Sequence, residues 1–196
     1  DSSLLVPSEY STIQSAIDMA VDGDTVFVAA GTYYENLLIT KNISVIGEDT
    51  ETTIIENNTN NFTVWFKLNV EEIIDFTCQG TWVGQPGAGY ECTPNLSMSG
   101  CQCAVDTPLN NILFKNFTLQ NAMKTAIFSN SASPILESLN IINNHSDWVA
   151  GGIVSGVDTF TEQGYFTSEP IIINSTLSNN SGEAGAFFIN GRPSLS

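Results

Sequence analysis

The sequence predicts an all-β chain built as a solenoid of stacked short strands, and three observations predict it. Four segments share one pattern: KNISVIG from Lys41, KNFTLQN from Lys115, SLNIINN from Ser138 and NSTLSNN from Asn174. Aligning Phe117, Leu139 and Ser175 also aligns Leu119, Ile141 and Leu177, then Asn121, Asn143 and Asn179, at offsets of 22 and 36 residues. A further strand follows each of the last three, TAIFS from Thr125, GGIVS from Gly151 and AGAFFIN from Ala184. Units this short, ending in Asn- or Gly-rich turns, bury an apolar face only by stacking on neighbours. The larger offset is accounted for by a polar, aromatic insertion near 155–168, SGVDTFTEQGYFTS.

The 196 residues read as one domain. Residues 1–10 form an N-terminal extension in which Leu4, Leu5 and Val6 precede Pro7, a short apolar strand expected to be free to pair with an edge. Residues 11–21 carry Ile13, Ala16, Ile17 and Ala20 at helical spacing, and Ser11 with Gln14 fits a capping box. This short amphipathic helix has one face to bury. After a turn around Gly23, Thr25–Ala29 reads as a strand ended by Gly31, and Leu37–Thr40 and Ile43–Ile46 read as further strands. First coils span 25–75, a Cys-rich insertion spans 76–108, and further coils fill 109–196. Period-2 alternation sends Ile43, Phe117 and Ser175 inward, and Asn42, Asn116 and Asn174, with Ser44, Thr118 and Thr176, outward.

Composition narrows the partners. Formal net charge is -16 with five basic residues, Lys41, Lys67, Lys115, Lys124 and Arg192, so nucleic acid and anionic membrane surfaces are excluded as partners. No run of 18 apolar residues spans a bilayer, and a chain starting at Asp1 reads as a mature product freed of its signal peptide. Cys78, Cys92, Cys101 and Cys103 fit two disulfides stapling one loop better than zinc, whose sites favour paired C-x2-C spacing. A Cys101–Cys103 bridge would be strained, so each is expected to join Cys78 or Cys92. Asn42, Asn57, Asn61, Asn95, Asn116, Asn144, Asn174 and Asn179 open N-x-[ST] triplets. Eight is twice the number of about four expected by chance, which points to N-glycans and secretion.

The stretch from Tyr10 to Ile55 joins STIQSAIDMA, DGDTVFVAAGTYYENLLI and ITKNISVIGEDTETTII. It resembles the opening of right-handed parallel β-helix proteins of the pectin-lyase-like group. That resemblance implies a three-faced prism whose first coil is capped by the helix. Within the group, GTYYE at Gly31–Glu35 is similar to the G-x-Y-x-E motif of pectin methylesterases, and GRP at Gly191–Pro193 to their G-R-P-W motif, whose Arg holds a substrate carboxylate. Those enzymes need two facing aspartates in Q-D-T and D-F-x-F-G contexts. Here there is no Q-D-T, and DFTCQG from Asp75 is the nearest approach to the second. Non-catalytic relatives also carry G-x-Y-x-E, as a turn between rungs.

Polyuronate lyases and epimerases need cations to neutralise the substrate, and this chain is poor in them. His145, the one histidine, reads as a turn residue without a Ser or Cys partner, while Asp147, Asp158 and Glu162 read as solvated loop acids. Trp65, Trp82, Trp148, Phe160, Tyr165 and Phe166 lie at strand ends or in the insertions, where they either stack on sugars or pack loops. The C-terminal end shows no capping helix, so Phe187 and Phe188 are expected on an open edge that pairs with the apolar N-terminus of another copy. The expected function is thus structural or adhesive: a secreted glycoprotein without cofactor or metal, polymerising head-to-tail into an extracellular filament. The alternative is a carbohydrate-active enzyme or polysaccharide-binding domain.

Overall fold

A computed structural model of the chain describes residues 2–57, 59–68, 104–105, 109–147, 149–156, 160–161, 164–166, 168–189 and 194–195. The four cysteines, Asp75, Trp82, Asn95, Trp148, Asp158, Glu162 and Arg192 lie outside the described residues. Among those described, the fold is predominantly parallel β-sheet with one helix. A ten-stranded sheet runs from Ser3–Val6 through Thr25–Val28, Ser44–Gly47, Leu113–Gln120 and Ile135–Ile142 to Ile171–Ile173, and onward to Ser194–Leu195. A five-stranded sheet orders Leu37–Ile39, Val64–Lys67, Ile127–Asn130, Ile153–Gly156 and Phe187–Ile189. In both sheets spatial order follows chain order and every pairing is parallel.

Alternation fixes which side chains go inside. In the large sheet Leu4, Val26, Val45, Phe114, Leu136 and Ile172 are in register and buried as one row. Ile55, Leu119 and Ile141, with Leu177 packed beside them, form a second row. Phe117 pairs with Leu139 and Leu119 with Ile141, the equivalence that the repeat predicts. The first repeat sits differently. Ser44 pairs with Leu113 and Val45 with Phe114, so KNISVIG does not overlie KNFTLQN, and Thr53–Glu56 takes the place beside Thr118–Gln120 instead. Asn42 therefore stands over Asn111, whose N–H it accepts at 3.0 Å, and is not in line with Asn116 and Asn174. Gly31 opens the strand Gly31–Tyr33 and does not end the preceding one, and Phe27 points outward within Thr25–Val28.

The long strands bend where asparagine or serine adopts left-handed backbone. Asn116, Ser138 and Asn174 (φ 63°, 52° and 48°) make one stack of such corners, and Asn121, Asn143 and Asn179 (φ 60°, 56° and 54°) make the next. Asparagine tolerates this conformation because its short polar side chain bonds locally. That requirement explains the recurring Asn of the sequence pattern.

The helix spans Ile13–Met19 and buries Ile13, Ala16 and Ile17. Its capping box joins Thr12 to Ser15, one residue beyond the expected Ser11 and Gln14. Gln14 is used elsewhere. Its amide accepts from Leu38 N–H at 2.8 Å and donates to Leu38 C=O at 3.2 Å, satisfying the outward groups of the first strand of the five-stranded sheet. Glu35, the acid of GTYYE, accepts from Ile13 N–H and Gln14 N–H, each at 2.9 Å. Lys41 Nζ donates to Ile17, Asp18 and Ala20 carbonyls at 2.7–3.1 Å. A carboxylate at the N-terminus and an ammonium at the C-terminus both complement the helix dipole and its unpaired backbone groups. Asp24 fastens the entry in the same way: Val21 N–H and Ser2 N–H bond its carboxyl and hold it below the usual carboxylate range. Glu35→Ala should lower stability by about 1–2 kcal/mol, the range for losing a helix cap. At about 2–4 °C per kcal/mol for a chain of this length, the midpoint of a thermal melt should fall by about 2–8 °C, and an unchanged midpoint would show that the clamp is idle.

Candidate functional site

Outward residues of the five-stranded sheet form an apolar row, since Leu38, Trp65, Phe128, Val154 and Phe188 are in register. Phe62 folds over its centre, stacking on Phe128 at 4.4 Å and meeting Trp65 edge-on at 5.7 Å. Ala150, Val154 and Val149 complete a second apolar cluster outside the core between the sheets. Phe62, Phe128 and Val154 are buried, Trp65 is half-buried, and Leu38 and Phe188 are exposed.

Two ammonium groups converge on these rings. Lys67 Nζ lies 5.1 Å from the centre of the Trp65 ring, and Lys124 Nζ lies 4.2 Å from that of Phe62. Such contacts are worth about 0.5–2 kcal/mol depending on desolvation. The other described cations serve the fold: Lys41 caps the helix and Lys115 pairs with Glu137 at 2.6 Å. Trp65 Nε1 is shielded from solvent and makes no hydrogen bond, as is Thr63 Oγ1 two residues earlier. The cluster thus contains donors that the fold itself does not satisfy.

A second group lies next to it in the chain. His145 stands in parallel register with Ser181. Its Nδ1 is 2.8 Å from Ser181 Oγ, and its Nε2 is 2.9 Å from Asp147 Oδ1. The sequence pattern left His145 without a serine partner, and the structure supplies one. The signal was available, because the 36-residue offset that aligns Asn143 with Asn179 also carries His145 onto Ser181.

The remaining expected site residues divide by environment. Asn61, Asn174 and Asn179 are exposed, and Asn42 and Asn116 are half-buried. Asn57 and Asn144 depart from the expectation of surface acceptors. Asn144 is 0% exposed: its amide donates to Leu119 C=O and Asn180 Oδ1 and accepts from Ala122 N–H, while Asn57 Nδ2 donates to Asn61 C=O. A glycan on either nitrogen would break a buried ladder. Leu4 and Val6 are core residues, not free ones, because Ser3–Val6 pairs with Thr25–Val28. The outward groups of Leu5 are closed by the chain itself: Glu9 Oε2 accepts its N–H, and Glu9 N–H and Tyr10 N–H donate to its C=O. Phe187 and Phe188 are 46% and 43% exposed, and their strand pairs, among described residues, with Ile153–Ser155 alone.

Among the described residues no group of His, Cys, Asp and Glu is placed to hold a metal ion, and no helix is long and apolar enough to cross a membrane. No family model, curated protein or solved structure matches the chain.

Proposed function

We propose that the chain is a right-handed parallel β-helix of the extracellular space, an adhesive module that holds polysaccharide through the patch around Trp65. Winding as a β-helix is supported by strands of the two sheets that alternate along the chain, each pairing in parallel with the next pass. The observation that carries the binding reading is the placement of Lys67 and Lys124 over aromatic faces, with no ion pair to either among the described residues, in a chain of net charge -16. The apolar face of a sugar ring stacks on an indole, and its hydroxyl oxygens accept from ammonium groups at the rim. Overall charge opposes a polyanion, so the ligand is a neutral polysaccharide.

Co-sedimentation with insoluble β-glucan, mannan and xylan tests this. Retention on at least one is expected, weakened about tenfold by Trp65→Ala, which corresponds to about 1.4 kcal/mol. No retention on any of the three, or undiminished retention by the variant, would refute it.

Secretion rests on the acceptor triplets and the cysteine cluster, and the proposed glycan acceptors are the exposed Asn61, Asn174 and Asn179. Self-association, where it occurs, runs through the Phe187–Ile189 edge. The outward groups of Leu5 and Leu38 are satisfied by their own chain, which disfavours head-to-tail growth through those two strands, so two copies meeting through the Phe187–Ile189 edge are expected in place of a filament. Intact mass and light scattering of the secreted protein check both statements. A bare polypeptide mass contradicts the first, and long polymers contradict the second.

A further inference from the structure

We propose that Ser181 is a catalytic nucleophile for ester hydrolysis, with His145 as its general base and Asp147 as the residue that positions the imidazole. Register alone explains why His145 and Ser181 touch, since they occupy the same place on neighbouring passes. Register does not explain Asp147, two residues along, on the opposite ring nitrogen at 2.9 Å. That carboxylate fixes the chemistry. An ionised carboxylate only accepts, so the proton of a neutral imidazole sits on Nε2, and Nδ1 is left with its lone pair facing Ser181. The serine hydroxyl therefore donates to Nδ1 at 2.8 Å, which is the arrangement that activates an alcohol as a nucleophile.

The steps balance without any further reagent. Ser181 Oγ bonds to the acyl carbon as its proton passes to Nδ1, and the ester C–O bond then breaks with that proton going to the departing alkoxide. Water adds to the acyl-serine through the same base, giving a carboxylic acid and restoring the hydroxyl. Ester and water become acid and alcohol.

Exposure sets both the rate and the substrate. The side chains of His145 and Asp147 are 61% and 97% exposed. Solvent competes for a hydrogen bond this exposed, so Asp147 sets the tautomer without holding the ring rigidly. An open site of this kind acts on esters presented from outside and does not engulf a small substrate. Gly182, the residue after the nucleophile, packs against the aromatic patch: a Cβ there would come within 2.8 Å of Ala150 Cα and 2.9 Å of Val149 O. Val149 and Ala150 belong to the patch around Trp65. Acyl groups esterified to the hydroxyls of a polysaccharide lying on that patch are the substrates this proximity selects. That choice of polymer rests on the saccharide-binding reading, whereas the nucleophile itself does not.

Two substrates separate the two readings. With p-nitrophenyl acetate, the wild-type protein should turn over with a burst of one acyl group per chain. Ser181→Ala should lose about 100-fold or more, within the general-base range of about 10²–10⁴-fold. Asp147→Asn should lower kcat and leave KM in place, a split that a merely structural contact would not give. A fluorophosphonate probe should add its mass to the peptide containing Ser181 of the folded wild-type protein, which needs no variant to fold. Asn179→Gln removes any glycan beside the site while keeping the Ser181 hydroxyl. Absence of probe on Ser181, or equal rates for wild type and Ser181→Ala, would overturn the proposal. Cleavage of p-nitrophenyl acetate but not of acetylated xylan or mannan would uphold the nucleophile and overturn only the choice of polymer.

Discussion

Gly47→Ala is expected to lose about 3 kcal/mol of stability. Gly47 is buried at the end of its strand, and a Cβ there would lie 2.2 Å from Asn116 O, 3.0 Å from Thr53 Cβ and 3.1 Å from Thr53 Cγ2. The first contact is with backbone of the adjacent strand, so no rotamer change relieves it. The two strands would have to part by about 1 Å, beyond the few tenths that close-packed interiors absorb. Overpacking alone costs about 1–3 kcal/mol. The same shift loosens the bond from Asn116 Nδ2 to Gly47 C=O, now 3.2 Å, worth about 1 kcal/mol. A thermal melt should move down by about 6–12 °C at about 2–4 °C per kcal/mol. A midpoint within about 2 °C of the parent would mean that the strands are not packed as described.

Phe114→Ala should cost about as much by the opposite mechanism. The ring is fully buried, stacked on Phe117 at 4.5 Å and edge-on to Phe66 at 6.0 Å, which joins the inner faces of the two main sheets. Removing it forfeits the transfer of the ring from water and leaves a cavity between neighbours held by their own hydrogen bonds, about 3–5 kcal/mol in all. The aromatic contacts are included in that figure in part and do not add to it in full. Phe114→Leu should recover a good part of the loss. Urea unfolding should show a lower midpoint at unchanged slope for Phe114→Ala, and equal midpoints for the two variants would argue that volume at this position is irrelevant.

Parallel β-structure with a helix ahead of it was legible because one physical constraint writes both pattern and register. Phe117, Leu139 and their successors repeat at fixed offsets since each must cover the one before it. Where two segments carried the same letters for different reasons, the pattern misled. Lys41 and Asn42 resemble Lys115 and Asn116, yet Lys41 is held by helix carbonyls and Asn42 by Asn111 N–H, so that pair serves the cap and the other serves a corner. The capping box slipped by one because Ser11 with Gln14 and Thr12 with Ser15 share the same spacing, and only the position of Leu38 decides which glutamine contact wins. GTYYE was recognised as a motif, but its acid clamps a helix 21–22 residues earlier, a contact that local sequence cannot show. The patch of Phe62, Trp65 and Phe128 was the least legible. Its members meet across more than sixty residues with no repeat offset between them, so nothing in the letters pairs Trp65 with Phe128.

The unequal offsets carry a consequence for how such a chain changes length. Leu139 lies 22 residues after Phe117, and Ser175 lies 36 after Leu139, while Leu119, Ile141 and Leu177 stay in one row. Within a strand a single added residue would turn every later side chain of that strand to the wrong face. Between strands fourteen extra residues, the difference of 36 and 22, leave the register untouched. Closing a longer excursion is inexpensive, since each doubling of a flexible loop adds only about 0.6 kcal/mol. Length is therefore quantised along the strands and free at the exits between them. Foreign peptides grafted at those exits would be carried on a rigid frame whose spacing they do not disturb.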